Sequence, residues 1–135
     1  MGYQTVLPEG WCRPKGYSNA VVARGRQIYV AGQVGWDSEE RFSSDDLAEQ
    51  AAQALRNVVA VLEAAGAGPE HIVRMTWYVT DKSAYVAGLK EIGQSYREII
   101  GRNFPAMTAV EVTALVEDRA KVEIECTAVV DEGSG

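Results

Sequence analysis

The residues best suited to chemistry lie near the end of the chain. Asn103–Val130, NFPAMTAVEVTALVEDRAKVEIECTAVV, reads as two strands joined by a short polar turn. In the second strand Val122, Ile124, Cys126 and Ala128 share one parity and Glu123 and Glu125 the other; in the first, Met107, Ala109, Glu111 and Thr113 alternate with Val110 and Val112. Glu123 and Glu125 are expected to project beside Met107 and Glu111 on a face that mixes carboxylates with apolar groups. Such a face is neither plain core nor plain solvated surface, and a subunit partner, a ligand or both are expected on it. A carboxylate there can position and deprotonate water, which is acid–base hydrolysis without metal or cofactor. Other chemistries lack their parts. The sequence has no nucleophile–base pair, no phosphate loop and no metal cluster. His71 is the only histidine, and Cys12 and Cys126 stand far apart without paired-ligand spacing.

The elements that must hold these residues follow from periodicity. Ala20–Ala23 and Gln27–Ala31, around Arg24-Gly25-Arg26, read as a hairpin that Gly32 closes, and Tyr3–Leu7 as a short extra strand. Ser43-Ser44-Asp45-Asp46 starts a helix, with Leu47, Ala51, Leu55, Val58 and Leu62 as its apolar stripe and Gly66 as its stop. Ile72–Thr80 is a strand, preceded by His71 as a surface residue. A second helix, capped by Ser83, carries Tyr85, Leu89, Ile92, Tyr96 and Ile99 and ends at Gly101. Gly88 and Gly93 inside it cost about 1 kcal/mol each against alanine, so packing must hold it. The order predicts an α+β fold: a mixed sheet with two helices packed on one face. The other face, with Ala109 and Thr113, is too apolar to remain in water and predicts self-association. The Trp11-Cys12 pair is expected to tuck against the body, Trp36 and Trp77 could line a cleft, and the tail from Glu132 reads as loose.

Bulk properties narrow the function. A chain of 135 residues suits one domain, 1–135, and 47% apolar with 24% charged residues is an ordinary globular balance. The net charge of −6, with the 13 basic residues scattered singly, argues against a nucleic-acid or acidic-membrane surface. No apolar run reaches the ~20 residues of a membrane helix. No secretory signal is visible, and unpaired cysteines fit a cytoplasmic protein.

Several short motifs, taken in order, resemble the RidA (YjgF/YER057c/UK114) family. They are Tyr17-Ser18-Asn19-Ala20, Ile28-Tyr29-Val30-Ala31-Gly32-Gln33, Asn57 through Val61-Leu62-Glu63-Ala64-Ala65-Gly66, Pro105-Ala106 and Val122-Glu123-Ile124-Glu125. The resemblance implies a chorismate-mutase-like subunit that forms a homotrimer with ligand clefts between subunits. It implies hydrolysis of reactive enamines and imines to a carbonyl compound and ammonia, without cofactor. By the same resemblance Glu123 matches the water-handling glutamate, Tyr17 the pocket tyrosine, and Gly32 the backbone that approaches the ligand; Thr108 stands beside the position of the carboxylate-binding arginine. That position itself is Met107, and a thioether offers neither charge nor a fork of donors. Gly16 also replaces the proline that precedes the tyrosine in the family.

The expected activity is therefore a RidA-like enamine/imine deaminase whose substrate lies outside the 2-aminoacrylate class, or whose carboxylate another residue holds. Arg13, Arg26, Arg74 and Arg102 are the unranked candidates. The alternative is a non-catalytic small-molecule-binding or regulatory trimer, with Met107 filling an apolar cleft and Glu123 as a surface glutamate. Ribonuclease activity, ascribed to some relatives, ranks third on charge.

Overall fold

The computed structural model describes residues 3–132. The elements run β1 (Tyr3–Val6), β2 (Ala20–Ala23), β3 (Arg26–Val34), α1 (Leu47–Ala64), a 3-10 turn (Pro69–His71), β4 (Ile72–Val79), α2 (Lys82–Ala87), α3 (Leu89–Ile99), β5 (Ala106–Glu111) and β6 (Val122–Val130). The main sheet has the order β3-β6-β4-β5, with β4 and β5 parallel and the other pairs antiparallel; β1 and β2 form a separate two-stranded sheet. This is the mixed sheet of an α+β fold, and α1 and α3 pack together on one face of it. No helix is long and apolar enough to cross a membrane among the described residues.

Two pairings differ from the sequence-based expectation. Ala20–Ala23 does not form a hairpin with the strand after Gly25. It pairs with β1 (Thr5↔Val21), whereas β3 crosses to β6 (Val30↔Cys126). The strand that fills the core is β3, where Val30 is buried, while Val22 on β2 stays 58% exposed outside it. Likewise β5 and β6 are not hairpin partners across a short turn. β4 lies between them, and a long loop, residues 112–121, spans the gap. β4 alternates buried Met75, Trp77 and Val79 with less buried residues and takes the central place, whereas β5 is half exposed and lies at the edge. The α2–α3 crossover then supplies the connection that a parallel β4–β5 pair requires.

Helix α1 forms for the reasons expected. Asp46 caps it by accepting from the Glu49 amide at 3.0 Å, and Leu55, Val58 and Leu62 on its stripe are completely buried against Ile124, Val122 and Met75. Its neighbour Asp45 pairs instead with Arg119 at 2.9 Å. The second helix is two helices broken at Gly88, and Asp81, not Ser83, caps the first by accepting from the Ala84 amide at 3.1 Å. Glu111 accepts from the Lys82 amide at 2.6 Å, tying the edge strand to the start of α2. Buried Gln50 fastens α1 to the loop before β6: its amide nitrogen donates to the carbonyls of Ser44 (2.9 Å) and Arg119 (3.0 Å), and its oxygen accepts from the Lys121 amide at 2.7 Å. His71 accepts from the Gly68 amide at 3.0 Å and serves the turn before β4. Trp11 is 61% exposed and Cys12 is exposed as well, so this pair does not tuck in. Of the tail, residues 133–135 lie outside the described ones.

Candidate active site

Strand register decides which side chains can meet. On the uncovered face of the sheet Tyr78 stands between Glu123 and Val110, Thr76 between Glu125 and Thr108, and Arg74 between Thr127 and Ala106. Tyr78 Oη donates to Glu125 Oε1 at 3.1 Å, and this bond to the carboxylate raises the phenol above its ordinary pKa. The helix-covered face carries Met75 beside Met107, Trp77 beside Ala109 and Val79 beside Glu111. Met107 and Glu111 therefore face the helices, while Glu123, Glu125 and Thr108 face away. The expected grouping of Glu123 with Met107 on one face does not occur. The reason is the edge position of β5: its alternation is fixed by pairing with β4, not with β6, and that register turns Met107 inward.

Glu123 meets Gly32 instead. β3 does not end at Gly32 but bulges between Val30 and Gln33 and continues to Val34, which pairs with Glu123. In the bulge Gly32 presents bare backbone to the Glu123 side chain: a Cβ built there would lie 1.9 Å from Glu123 Oε2. Glu123 is half-buried, and its carboxylate has no hydrogen-bond or ion-pair partner among the described residues. The pair forms an open acceptor beside exposed backbone.

Met107 opens into a different place, a cavity of about 400 Å³ between the β5 edge and helices α2 and α3. Trp77, Tyr85, Leu89, Phe104 and Met107 build its apolar wall. Tyr17 closes one side. It is held there because the neighbouring Ser18 donates its amide to the Pro105 carbonyl at 3.0 Å and its hydroxyl to the Phe104 carbonyl at 2.6 Å. Tyr96 stacks on Phe104 at 5.9 Å, and its hydroxyl donates to the Asn103 carbonyl at 2.6 Å. Burial drives its pKa well above the ordinary tyrosine value, so it serves as wall and not as acid or base. Trp77 tilts against Tyr85 at 6.3 Å, and its indole N–H is enclosed without a partner. Of the two tryptophans that could line a cleft, Trp77 does; Trp36 lies against Phe42 at 5.7 Å.

The expected site residues thus fall into two half-sites and an outlier. Tyr17 and Met107 share the cavity. Gly32 and Glu123 lie together on the opposite face; Met107 is level with Met75 and Glu123 with Tyr78, so the two are roughly 10 Å apart across two strand spacings and roughly 10 Å apart along the strands. Thr108 sits exposed on the edge strand, on the Glu123 face. Cys126 is buried in the middle of β6, where desolvation pushes its thiol up to about 12 and leaves it unreactive.

Comparison with known proteins decides the family. The family model described as Endoribonuclease L-PSP matches residues 13–130. A human protein named 2-iminobutanoate/2-iminopropanoate deaminase is 35% identical over 114 residues, covering 84% of this chain and 79% of its own. The chain belongs to the RidA family. A RutC family protein of Pyrococcus abyssi is 31% identical over 129 residues, covering 95% of this chain and 98% of its own. The Rid protein YyfB of Yersinia pestis, of unknown function, has a TM-score of 0.85 at 34% identity and covers 96% of this chain and 100% of its own. Escherichia coli TdcF with bound serine has a TM-score of 0.68 at 28% identity, covering 90% and 92%.

Sequence reasoning missed two members of this RidA cavity. Lys15 and Arg97 line it, whereas Arg13, Arg26, Arg74 and Arg102 do not. Arg26 is committed to Glu132 at 3.4 Å and to the Ala65 carbonyl at 3.2 Å. A basic residue on an amphipathic helix looks like solvated surface, which is why Arg97 passed unnoticed.

Proposed function

We propose that this RidA protein hydrolyses a reactive imine, or an enamine after tautomerisation, to a carbonyl compound and ammonia. The observation that carries the reading is the unpartnered Glu123 carboxylate against the bare backbone of Gly32. Glu123 takes a proton from water while the water oxygen adds to the imine carbon. The C=N electron pair moves to nitrogen, which is protonated. Collapse of the carbinolamine forms C=O, breaks C–N and releases ammonia. An imine carbon is already electrophilic, so positioning and one base suffice. Imine deamination is what the human relative's name records. The substrate lies outside the usual 2-aminoacrylate class, because the thioether at Met107 is not itself a carboxylate ligand.

The separation of the half-sites bears on assembly. Within one chain the cavity and Glu123 face opposite sides of the sheet, so one small molecule cannot touch both. A homotrimer, with the cavity of one subunit set against the Gly32–Glu123 bulge of the next, completes the site and covers exposed Tyr29 and Val110. Without that assembly, the same geometry favours the second reading, a cavity that binds a small molecule without turnover.

The experiment generates a panel of imines in situ with amino-acid oxidases and follows their decay. Wild-type protein is expected to accelerate decay and Glu123→Gln to lose the acceleration. Equal rates for the two proteins remove the hydrolase reading. Co-expressing Glu123→Gln with a cavity-blocking Ala109→Trp chain tests the assembly. Random mixing restores both intact halves at about a quarter of the interface sites. No recovery means that the halves do not meet between subunits.

A further inference from the structure

The cavity lining combines two features that the loss of arginine at position 107 does not by itself explain. It has a broad apolar floor, and every charged residue in it is a cation. Lys15 and Arg97 sit among its walls and no Asp or Glu does, in a chain with 19 acidic and 13 basic residues. Neither cation has an ion-pair partner among the described residues, as is true of most of the 13 basic residues; what sets these two apart is their place in the lining of a cavity that holds no acid. A cation left unpaired in an acidic protein, at the rim of an apolar cavity, is placed to receive an anion.

Arg97 is held in position by the helix that carries it. Gly93 precedes it by one turn and also lines the cavity, and an Arg97 terminal nitrogen lies 3.5 Å from where a Gly93 Cβ would be. The guanidinium thus folds back over a gap in the helix surface toward the opening. It also sits in the last turn of α3, where the helix dipole favours positive charge.

The depth of the cavity sets the rest of the ligand. About 400 Å³ falls within the range of roughly 300–1,000 Å³ typical of pockets for larger organic ligands. Pyruvate-sized molecules would leave most of it empty against Trp77, Tyr85 and Leu89. Flat aromatic walls favour a ring, through offset or edge-on packing.

Resting on the imine-hydrolase reading of this same site, we infer that Lys15 and Arg97 together replace the carboxylate-binding cation that Met107 cannot supply. The cavity then selects 2-imino acids with large apolar, above all aromatic, side chains. The carboxylate is held at the rim and the side chain lies inward on Trp77 and Met107. The imine carbon, next to the carboxylate, remains at the opening, where Glu123 of a neighbouring subunit reaches it.

The test separates binding from turnover. Calorimetry compares three probes on the full-length protein: 2-oxo-3-phenylpropanoate, the uncharged benzyl ketone 1-phenylpropan-2-one, and 2-oxopropanoate. The phenyl oxo acid is expected to bind at least about tenfold more tightly than either of the others. In the double variant Lys15→Gln with Arg97→Gln that advantage over the ketone should vanish, while ketone affinity stays unchanged. Both residues are exposed, so the fold tolerates the change. Equal binding of acid and ketone, an acid affinity unmoved by the double variant, or preferred binding of 2-oxopropanoate each overturn the inference. Failure of the hydrolase reading looks different: the phenyl oxo acid binds through Lys15 and Arg97, yet the corresponding imine decays no faster than with Glu123→Gln.

Discussion

Replacing Gly32 with alanine probes Glu123 without touching it. The new Cβ would stand 1.9 Å from Glu123 Oε2, 2.8 Å from Cδ and 2.9 Å from Cγ, where ordinary contact begins near 3.4 Å. The carboxylate must therefore retreat by about 1.5 Å, since nothing in the repulsive wall of a carbon–oxygen contact absorbs such an overlap. Misplacing a catalytic group by about 1 Å can cost on the order of 10²-fold in rate. Gly32→Ala is accordingly expected to lower kcat/KM by about that factor, most of the way to the Glu123→Gln level. Stability should barely change. The collision is with a side chain that can turn away as a whole and not with backbone, the backbone at Gly32 is not left-handed, and alanine in a strand offsets part of any residual strain, leaving the shift within about 1 kcal/mol. The assay is imine decay with urea unfolding measured in parallel, together with the double variant Gly32→Ala/Glu123→Gln. If position 32 acts only through the carboxylate, the double variant is no slower than Glu123→Gln alone. Wild-type rates in Gly32→Ala, with Glu123→Gln inactive, would refute the placement of the working carboxylate over Gly32.

Other consequences are structural. Gln50→Ala removes three buried hydrogen bonds that tie α1 to the β6 loop and should destabilise the protein by roughly 2–4 kcal/mol in urea unfolding, with an unchanged m-value. A thiol reagent at pH 8 should titrate Cys12 in the native protein, and Cys126 only after unfolding. Because burial raises the Cys126 thiol from about 9 to about 12, the unfolded chain releases this proton first. Stability from this group is complete below pH ~9 and is lost as pH rises toward 12, a slope that Cys126→Ala should flatten. Gly93→Ala meets only Arg97 at 3.5 Å, so it should stabilise α3 by up to about 1 kcal/mol while narrowing the cavity and weakening 2-oxo-3-phenylpropanoate binding in calorimetry.

The elements readable from sequence were those whose burial is local. The stripe from Leu47 to Leu62 and the alternation from Val122 to Ala128 each bury one face, and each took its expected form. Pairing was less legible, because adjacency in sequence favours hairpins, whereas the ladder is settled by which strand buries most. β4 is interleaved between β5 and β6 on that ground, and the same event turned Met107 away from Glu123. The two motifs that contain Gly32 and Glu123 could be read from the family resemblance; that the two residues touch required the bulge after Val30. Arg97 had no signature of its own, since a cation becomes informative only when the absence of nearby acids is known, and that is a property of the folded surface.

The uncovered face and the cavity impose opposite demands on the same edge strand. Thr108 and Val110 on β5 point where the sheet is bare, and Met107 and Ala109 point into the cavity. Covering the bare face with another copy buries Val110 and Tyr29, which are 41% and 73% exposed, and gains hydrophobic free energy that depends little on what fills the cavity. Specificity can therefore diverge through Met107, Leu89 and Arg97 without disturbing assembly, while Glu123 and Gly32 remain fixed by the β3–β6 ladder. Glu123, anchored in the sheet, and a cavity wall built in part from helix residues are mechanically separate. The Gly32–Glu123 pair and the surroundings of Met107 can therefore change independently of one another.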